Sequence, residues 1–160
     1  MSRFILCLAV LGLLAAYPAL AADGDPKPLN LTEEGVAMKG YDVVAYHLDA
    51  RPIPGNRSIA VEHGGATYQF ASEENRQTFL SDPDRFAPAY GGYCAFGVLM
   101  GEKVDSDPAQ FRFVDGRLLV FFSGGTHSQW AKNPSANLSI GDQVWTRIRD
   151  VPQSRLPLAD

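Results

Sequence analysis

The sequence predicts an α+β domain, a small antiparallel sheet of short hairpins with peripheral helices. Two turn signals, Gly64-Gly65 and Asp115-Gly116, each lie between short runs of β-branched and aromatic residues, the pattern of two-residue hairpin loops. Two further stretches, after Ser72 and around Asn133-Pro134, carry helix starts and breaks. No internal repeat and no low-complexity tract is read, so the elements are assigned to one domain.

Taken in order, Arg3, the uncharged run from Phe4 to Ala16, Pro18 and Ala19-Leu20-Ala21 form the pattern of a secretory signal peptide cleaved near Ala21. Residues 1–21 are assigned to it, and Cys7 leaves with it. No membrane span is expected after cleavage, and the domain is expected in a periplasmic or secreted location. Removing Arg3 from 14 basic residues, against 18 acidic ones, takes the net charge from −4 to about −5. An acidic exported domain with no Lys/Arg run is a poor match for nucleic acid or anionic membrane.

Residues 22–39 are small, polar and interrupted by Pro26 and Pro28, and read as an exposed arm; residues 40–150 are the domain. Gly40 to Tyr46 reads as an extended or single-turn segment entering the core. Ile59–His63 and Ala66–Phe70 make the first hairpin, with Ile59 and Val61 on one face of the first strand, as Tyr68 and Phe70 are on the second. Ser72 caps a helix from Glu73 to about Ser81, with Glu73 and Glu74 where the helix dipole favours acids. Asp82-Pro83 starts a short turn that buries Phe86, and Asp107-Pro108 repeats that cap-and-proline pattern. Phe111–Val114 and Arg117–Phe122 make the second hairpin. Thr126–Lys132 and Ser135–Arg149 read as helices, Trp145 packing inward with Leu138. The tail, residues 151–160, reads as loose.

Chemistry centres on Tyr90-Gly91-Gly92-Tyr93-Cys94-Ala95-Phe96-Gly97. Paired glycines allow a sharp turn and close approach of neighbouring chain. Cys94 is the one thiol left after signal cleavage, so it has no internal disulfide partner. It is either a small buried apolar group or a reactive centre, as a thiol in the first turn of a helix becomes. Met100 is the nearest soft donor, but six residues place it about 240° away around one unbroken helix, so a shared site needs a break at Gly97. His47 and His127 are further candidate metal ligands, each also readable as a surface histidine; His63 reads as a solvated turn residue. Zinc-ligand spacings, nucleophile elbows and nucleotide-binding glycine loops are missing from the sequence.

Gly40 to Tyr46, Tyr68 to Arg76, Asp82-Pro83 through Tyr90-Gly91-Gly92-Tyr93-Cys94-Ala95, and Asp107-Pro108 with Asp115-Gly116 resemble the exported bacterial YHS-domain proteins, from about Lys39 to Trp145. Related YHS modules occur in heavy-metal transport ATPases and in some monooxygenase subunits, so the resemblance implies binding of copper or another soft metal ion. The exported branch includes selenoproteins with selenocysteine at the position matching Cys94, which implies a functional sulfur. Metal-binding relatives carry more cysteines than this chain, and many have an aromatic where His47 stands. Three readings follow. The first is a soft-metal binding module with Cys94 as key ligand, completed from elsewhere in the fold or by a partner. The second is a thiol-dependent redox enzyme cycling Cys94 with an external thiol or disulfide partner. The third is a structural or interaction domain with an inert buried thiol.

Overall fold

The computed structural model describes residues 27–156. The assigned signal peptide with Cys7, the start of the arm and residues 157–160 lie outside the described residues. The fold is α+β: α1 (Val43–Asp49), β1 (Asn56–His63), β2 (Ala66–Phe70), α2 (Glu73–Ser81), α3 (Pro83–Phe86), α4 (Ala95–Leu99), β3 (Asp107–Val114), β4 (Arg117–Phe121), α5 (Gly124–Trp130) and α6 (Pro134–Ile148). The hairpins β1–β2 and β3–β4 are separate two-stranded antiparallel sheets.

Local chemistry accounts for most of these elements. Gly64 and Gly65 (φ 57° and 85°), like Asp115 and Gly116 (φ 50° and 76°), all take positive φ, which the tight hairpin turn requires at both central positions. The Ser72 hydroxyl accepts from the Asn75 N–H and starts α2. Ser123 and Thr126 form a reciprocal capping box, so α5 begins at Gly124, ahead of the expected Thr126.

Two segments differ from expectation. The segment after Gly40 is α-helical over seven residues, because Asp42 caps it and Val43 to Tyr46 are buried on every side. Tertiary burial there overrides the β preference of Val43-Val44. Asp107-Pro108 opens strand β3 rather than a helical turn: Asp107 turns back to accept from Ala109 N at 2.9 Å, and the Tyr46 hydroxyl donates to Pro108 O at 2.8 Å.

The chain does contain a repeat. In the first hairpin Asn56 lies opposite Phe70 and Ala60 opposite Gln69; adding 51 to each number gives the second register, Asp107 opposite Phe121 and Phe111 opposite Val120, with the irregularity at the same place. The correspondence runs on through the caps Ser72 and Ser123 to Pro83 and Pro134 at the next helix starts. Upstream, with one residue more, Gly40-Tyr41-Asp42 leading into α1 matches Gly92-Tyr93-Cys94 leading into α4. Asp42 N donates to Ile53 O and Cys94 N donates to Val104 O, both at 2.9 Å.

Strand β4 joins the two copies. Leu118 and Val120 face a core with Val43, Tyr46, Phe70 and Phe79, whereas Leu119 and Phe121 face a core with Cys94, Val98 and Trp130. The domain also extends past the boundaries expected at 40 and 150. Ala37 and Met38, within the expected arm, are buried, and Val36 bridges to Thr67 of β2. In the tail, Lys103 Nζ donates to Arg149 O at 2.6 Å and Val151 O at 2.8 Å, and Leu156 packs on the second core.

Candidate functional site

The turn before Cys94 is as sharp as the paired glycines allow. Tyr90, Gly91 and Gly92 have φ of 54°, 61° and 82°, and a Cβ on Gly91 would fall 2.1 Å from Pro28 O. Glycine at 91 is therefore required twice, by its backbone angle and by the chain packed against it.

Cys94 follows at the N-cap of α4 and is 1 % exposed. Its carbonyl accepts from Val98 N at 2.9 Å, and it bridges in parallel to Val120. Its side chain makes no capping hydrogen bond. The matching side chain, Asp42, is fully buried and accepts four bonds: from Val44 N (2.9 Å) and Ala45 N (3.2 Å) at Oδ1, and from Ala71 N (2.8 Å) and Asn75 Nδ2 (2.7 Å) at Oδ2. Asp42 thereby ties the start of α1 to the β2–α2 junction. The signal for it in the sequence was an aspartate directly before an apolar run.

The other candidate ligands sit on α1, at the end of α4 and on α5. Helix α4 runs without a break at Gly97, and Met100 stands at its end, 55 % exposed. His47, on α1, sits edge-on between Phe86 (centroids 5.1 Å apart) and Phe113 (4.6 Å), next to the first core. Its Nε2 is buried with no hydrogen-bond partner among the described residues, and burial, then the Arg85 charge, holds the ring below the ordinary histidine value. His127, on α5, stacks flat on Phe121 with centroids 4.6 Å apart; burial, then Arg112, lowers it too. His63 ends β1 with Nε2 3.1 Å from Asp84 Oδ1.

Among the described residues no group of three or more His, Cys, Asp or Glu side chains could hold a metal ion. The donor set also fits one poorly on its own terms. Cys94 is enclosed by apolar side chains, Met100 points to solvent, and the two imidazoles are engaged with aromatic rings. Tyr93, beside the thiol, lines a cavity of about 630 Å³ with the segment from Lys27 to Glu33, but Cys94 does not.

A second polar cluster was missed in the sequence. Tyr90 OH donates to Asp142 Oδ1 at 3.0 Å, and Arg117 Nη1 lies 2.8 and 2.9 Å from the two oxygens of that carboxylate, its guanidinium 5.3 Å from the Tyr90 ring centre. Burial, then the Asp142 charge, pushes the Tyr90 phenol up, so it stays a donor. These residues lock α6 to the turn before Cys94. No helix among the described residues is long and apolar enough to cross a membrane. Compared with known proteins, the chain matches no family model, no curated protein and no solved structure.

Proposed function

We propose that the chain is a YHS-type interaction module in which Cys94 is a core thiol, the third of the three readings drawn from the sequence. The observation that supports it is the equivalence of Cys94 with Asp42: both start the first helix of a repeated unit, and both are shut off from solvent. Asp42 ties its unit together there by hydrogen bonds, and Cys94 fills the second core as a small apolar group. Soft-metal binding would require the second core to open, since the Cys94 residue is 1 % exposed.

Thiol redox chemistry has one feature in its favour. Asp42 and Cys94 occupy the same cap position, where first-turn N–H groups favour an anion, and the Cys94 side chain offers those groups no capping bond. A hydroperoxide would transfer one oxygen to the thiol, releasing an alcohol or water, and two equivalents of an external thiol would then restore Cys94 with loss of water and formation of their disulfide.

The test is a thiol-reagent titration of the folded chain with and without denaturant, alongside mass spectrometry after hydroperoxide and Cu(I) retention under anaerobic conditions. The interaction-module reading expects Cys94 to react only when the chain is unfolded. Rapid, reversible gain of one oxygen by the folded protein would replace it with the redox reading. One equivalent of copper held by the wild type and lost in Cys94→Ser would replace it with the metal reading.

A further inference from the structure

We propose that the first copy of the repeat carries a binding site for the primary carboxamide of an extended peptide, the open counterpart of a niche that the second copy fills with Asn30. In the second copy the chain supplies its own occupant. Asn30 N donates to Gly91 O at 2.9 Å, and Asn30 Nδ2 donates to Gly92 O at 3.1 Å and to Asp105 Oδ1 at 2.9 Å. The Tyr93 hydroxyl is 3.0 Å from Lys27 O and 3.2 Å from Leu29 O, which it meets as a donor. Lys27 to Asn30 thus lies against Gly91-Gly92-Tyr93 and Asp105-Ser106 by its backbone and one side-chain amide.

The repeat carries these positions to Lys39-Gly40-Tyr41 and Pro54-Gly55 in the first copy. The frame is preserved: Gly55 N donates to Gly40 O at 2.8 Å, as Ser106 Oγ donates to Gly92 O at 2.8 Å. In the first copy, however, those five residues and Gln69 line a cavity of about 230 Å³.

Gln69 makes this cavity more than a gap left by the missing segment. It is 9 % exposed and lines the cavity, and its side-chain amide, unlike His47 Nε2 and Trp130 Nε1, which are buried without a partner among the described residues, is open to whatever enters there. The amide oxygen lies over Gly40, where a Cβ would come within 2.8 Å of it. Its counterpart in the second copy, Val120, is apolar and fully buried. An amide on a cavity wall where the other copy has an apolar side chain gives a donor and an acceptor to what enters, water included, so a ligand gains there only by offering the matching pair. A carboxamide offers one donor edge and one acceptor, the complement of the Gln69 amide. Charge at the rim does not favour an ion: Lys39 is already held by Asp105 and Ser106 O, and Glu34 accepts from Thr32 beside exposed Arg57. A neutral amide borne on extended backbone, as Asn30 is, fits both the open polar groups and the space.

This site is separate from Cys94. A reactive thiol would leave it standing, and an empty cavity would leave the reading of the thiol standing. The test titrates the acetylated, amidated peptide Pro-Leu-Asn-Leu, the sequence at 28–31, into the isotope-labelled full chain, following backbone amides by NMR. Peptides with Ala or Asp in place of Asn are compared, and the protein variants are Gln69→Val, which copies Val120, and Tyr41→Phe. Saturable shifts at Gly40, Gly55 and Gln69 are expected, with binding weakened about tenfold or more by the Ala peptide and by Gln69→Val, the scale of one lost buried hydrogen bond. No saturable shift at those residues at millimolar peptide, or equal binding of the Asn and Ala peptides, overturns the proposal. Should Gln69→Val fail to fold, the peptide comparison on the wild type decides alone.

Discussion

Asp42 and Cys94 start equivalent helices, yet their side chains are held by different forces. Asp42 accepts four hydrogen bonds in full burial, so its removal strands Ala71 N and the Asn75 amide as well as the helix start. Asp42→Ala is expected to lower stability by about 2–4 kcal/mol, a lost cap plus buried donors without partners. Cys94→Ala removes a sulfur that makes no capping bond and should cost about 1 kcal/mol, the transfer term for a small buried group. Urea unfolding of both variants tests the asymmetry, and an equal loss would mean that the Cys94 thiol carries polar contacts like those of Asp42. His47 gives a pH dependence. Because burial holds its ring below the ordinary value, folding favours the neutral form. That contribution is complete above the unfolded value of about 6.5 and is lost as pH falls through it toward the lower folded value. Arg85 adds repulsion to the protonated ring, and His127, lowered by burial and Arg112, acts in the same direction. His47→Phe keeps an aromatic edge for Phe86 and Phe113 and should flatten the fall in urea midpoint between neutral pH and pH 5, an outcome read directly against the wild type.

The hairpins and α2 were readable from the sequence because their causes are local, a glycine turn and a serine cap within a few residues of what they control. Helix α1 was not, since Val43-Val44 favours a strand until packing on all sides is known. The repeat escaped notice for a related reason. Between 56 and 84, only Gly65, Phe70, Ser72 and Pro83 keep their identity in the second copy, whereas Phe79 becomes Trp130 and Gln69 becomes Val120. What the copies share is backbone register, which a register of hydrogen bonds reveals and residue identities do not. Helix α6 is where the copies diverge most, a 15-residue helix in place of the four-residue α3. Its docking turns on Gly141, where a Cβ would lie 2.7 Å from Tyr90 OH and 3.2 Å from the ring carbon that bears it. Alanine is intrinsically better than glycine in a helix by about 1 kcal/mol. Here the added methyl must push Tyr90 off Asp142, and Tyr90 is buried and fixed by its turn. Gly141→Ala is therefore expected to destabilise by about 1–3 kcal/mol, and a gain in thermal midpoint would show that the Tyr90–Asp142 contact yields easily.

At the scale of the molecule, two copies with two cores raise the question of whether they unfold separately. Strand β4 argues that they do not. Its run Leu118-Leu119-Val120-Phe121 is fully buried, and alternate side chains enter different cores. An apolar run without alternation is the pattern of a strand covered on both faces. Either core can come apart only by exposing one side of β4, which strips two large apolar side chains of their packing. Cross-copy contacts reinforce the coupling: Tyr46 of α1 donates to Pro108 O of β3 and packs edge-on against Phe111, 4.9 Å between centroids, and Lys39 pairs with Asp105 at 2.7 Å. The exposed ion pair contributes little on its own, so the burden rests on β4 and Tyr46. The expected outcome is one cooperative transition, with equal calorimetric and van't Hoff enthalpies and with Leu119 and Val120 amides exchanging only through global unfolding. Leu119→Ala, although it faces only the second core, should then speed exchange at Val44 and Phe70 in the first as much as at Val98 in the second. Faster exchange confined to the second core, or a second calorimetric peak, would mean that the two copies are independent units joined through a strand that either can release.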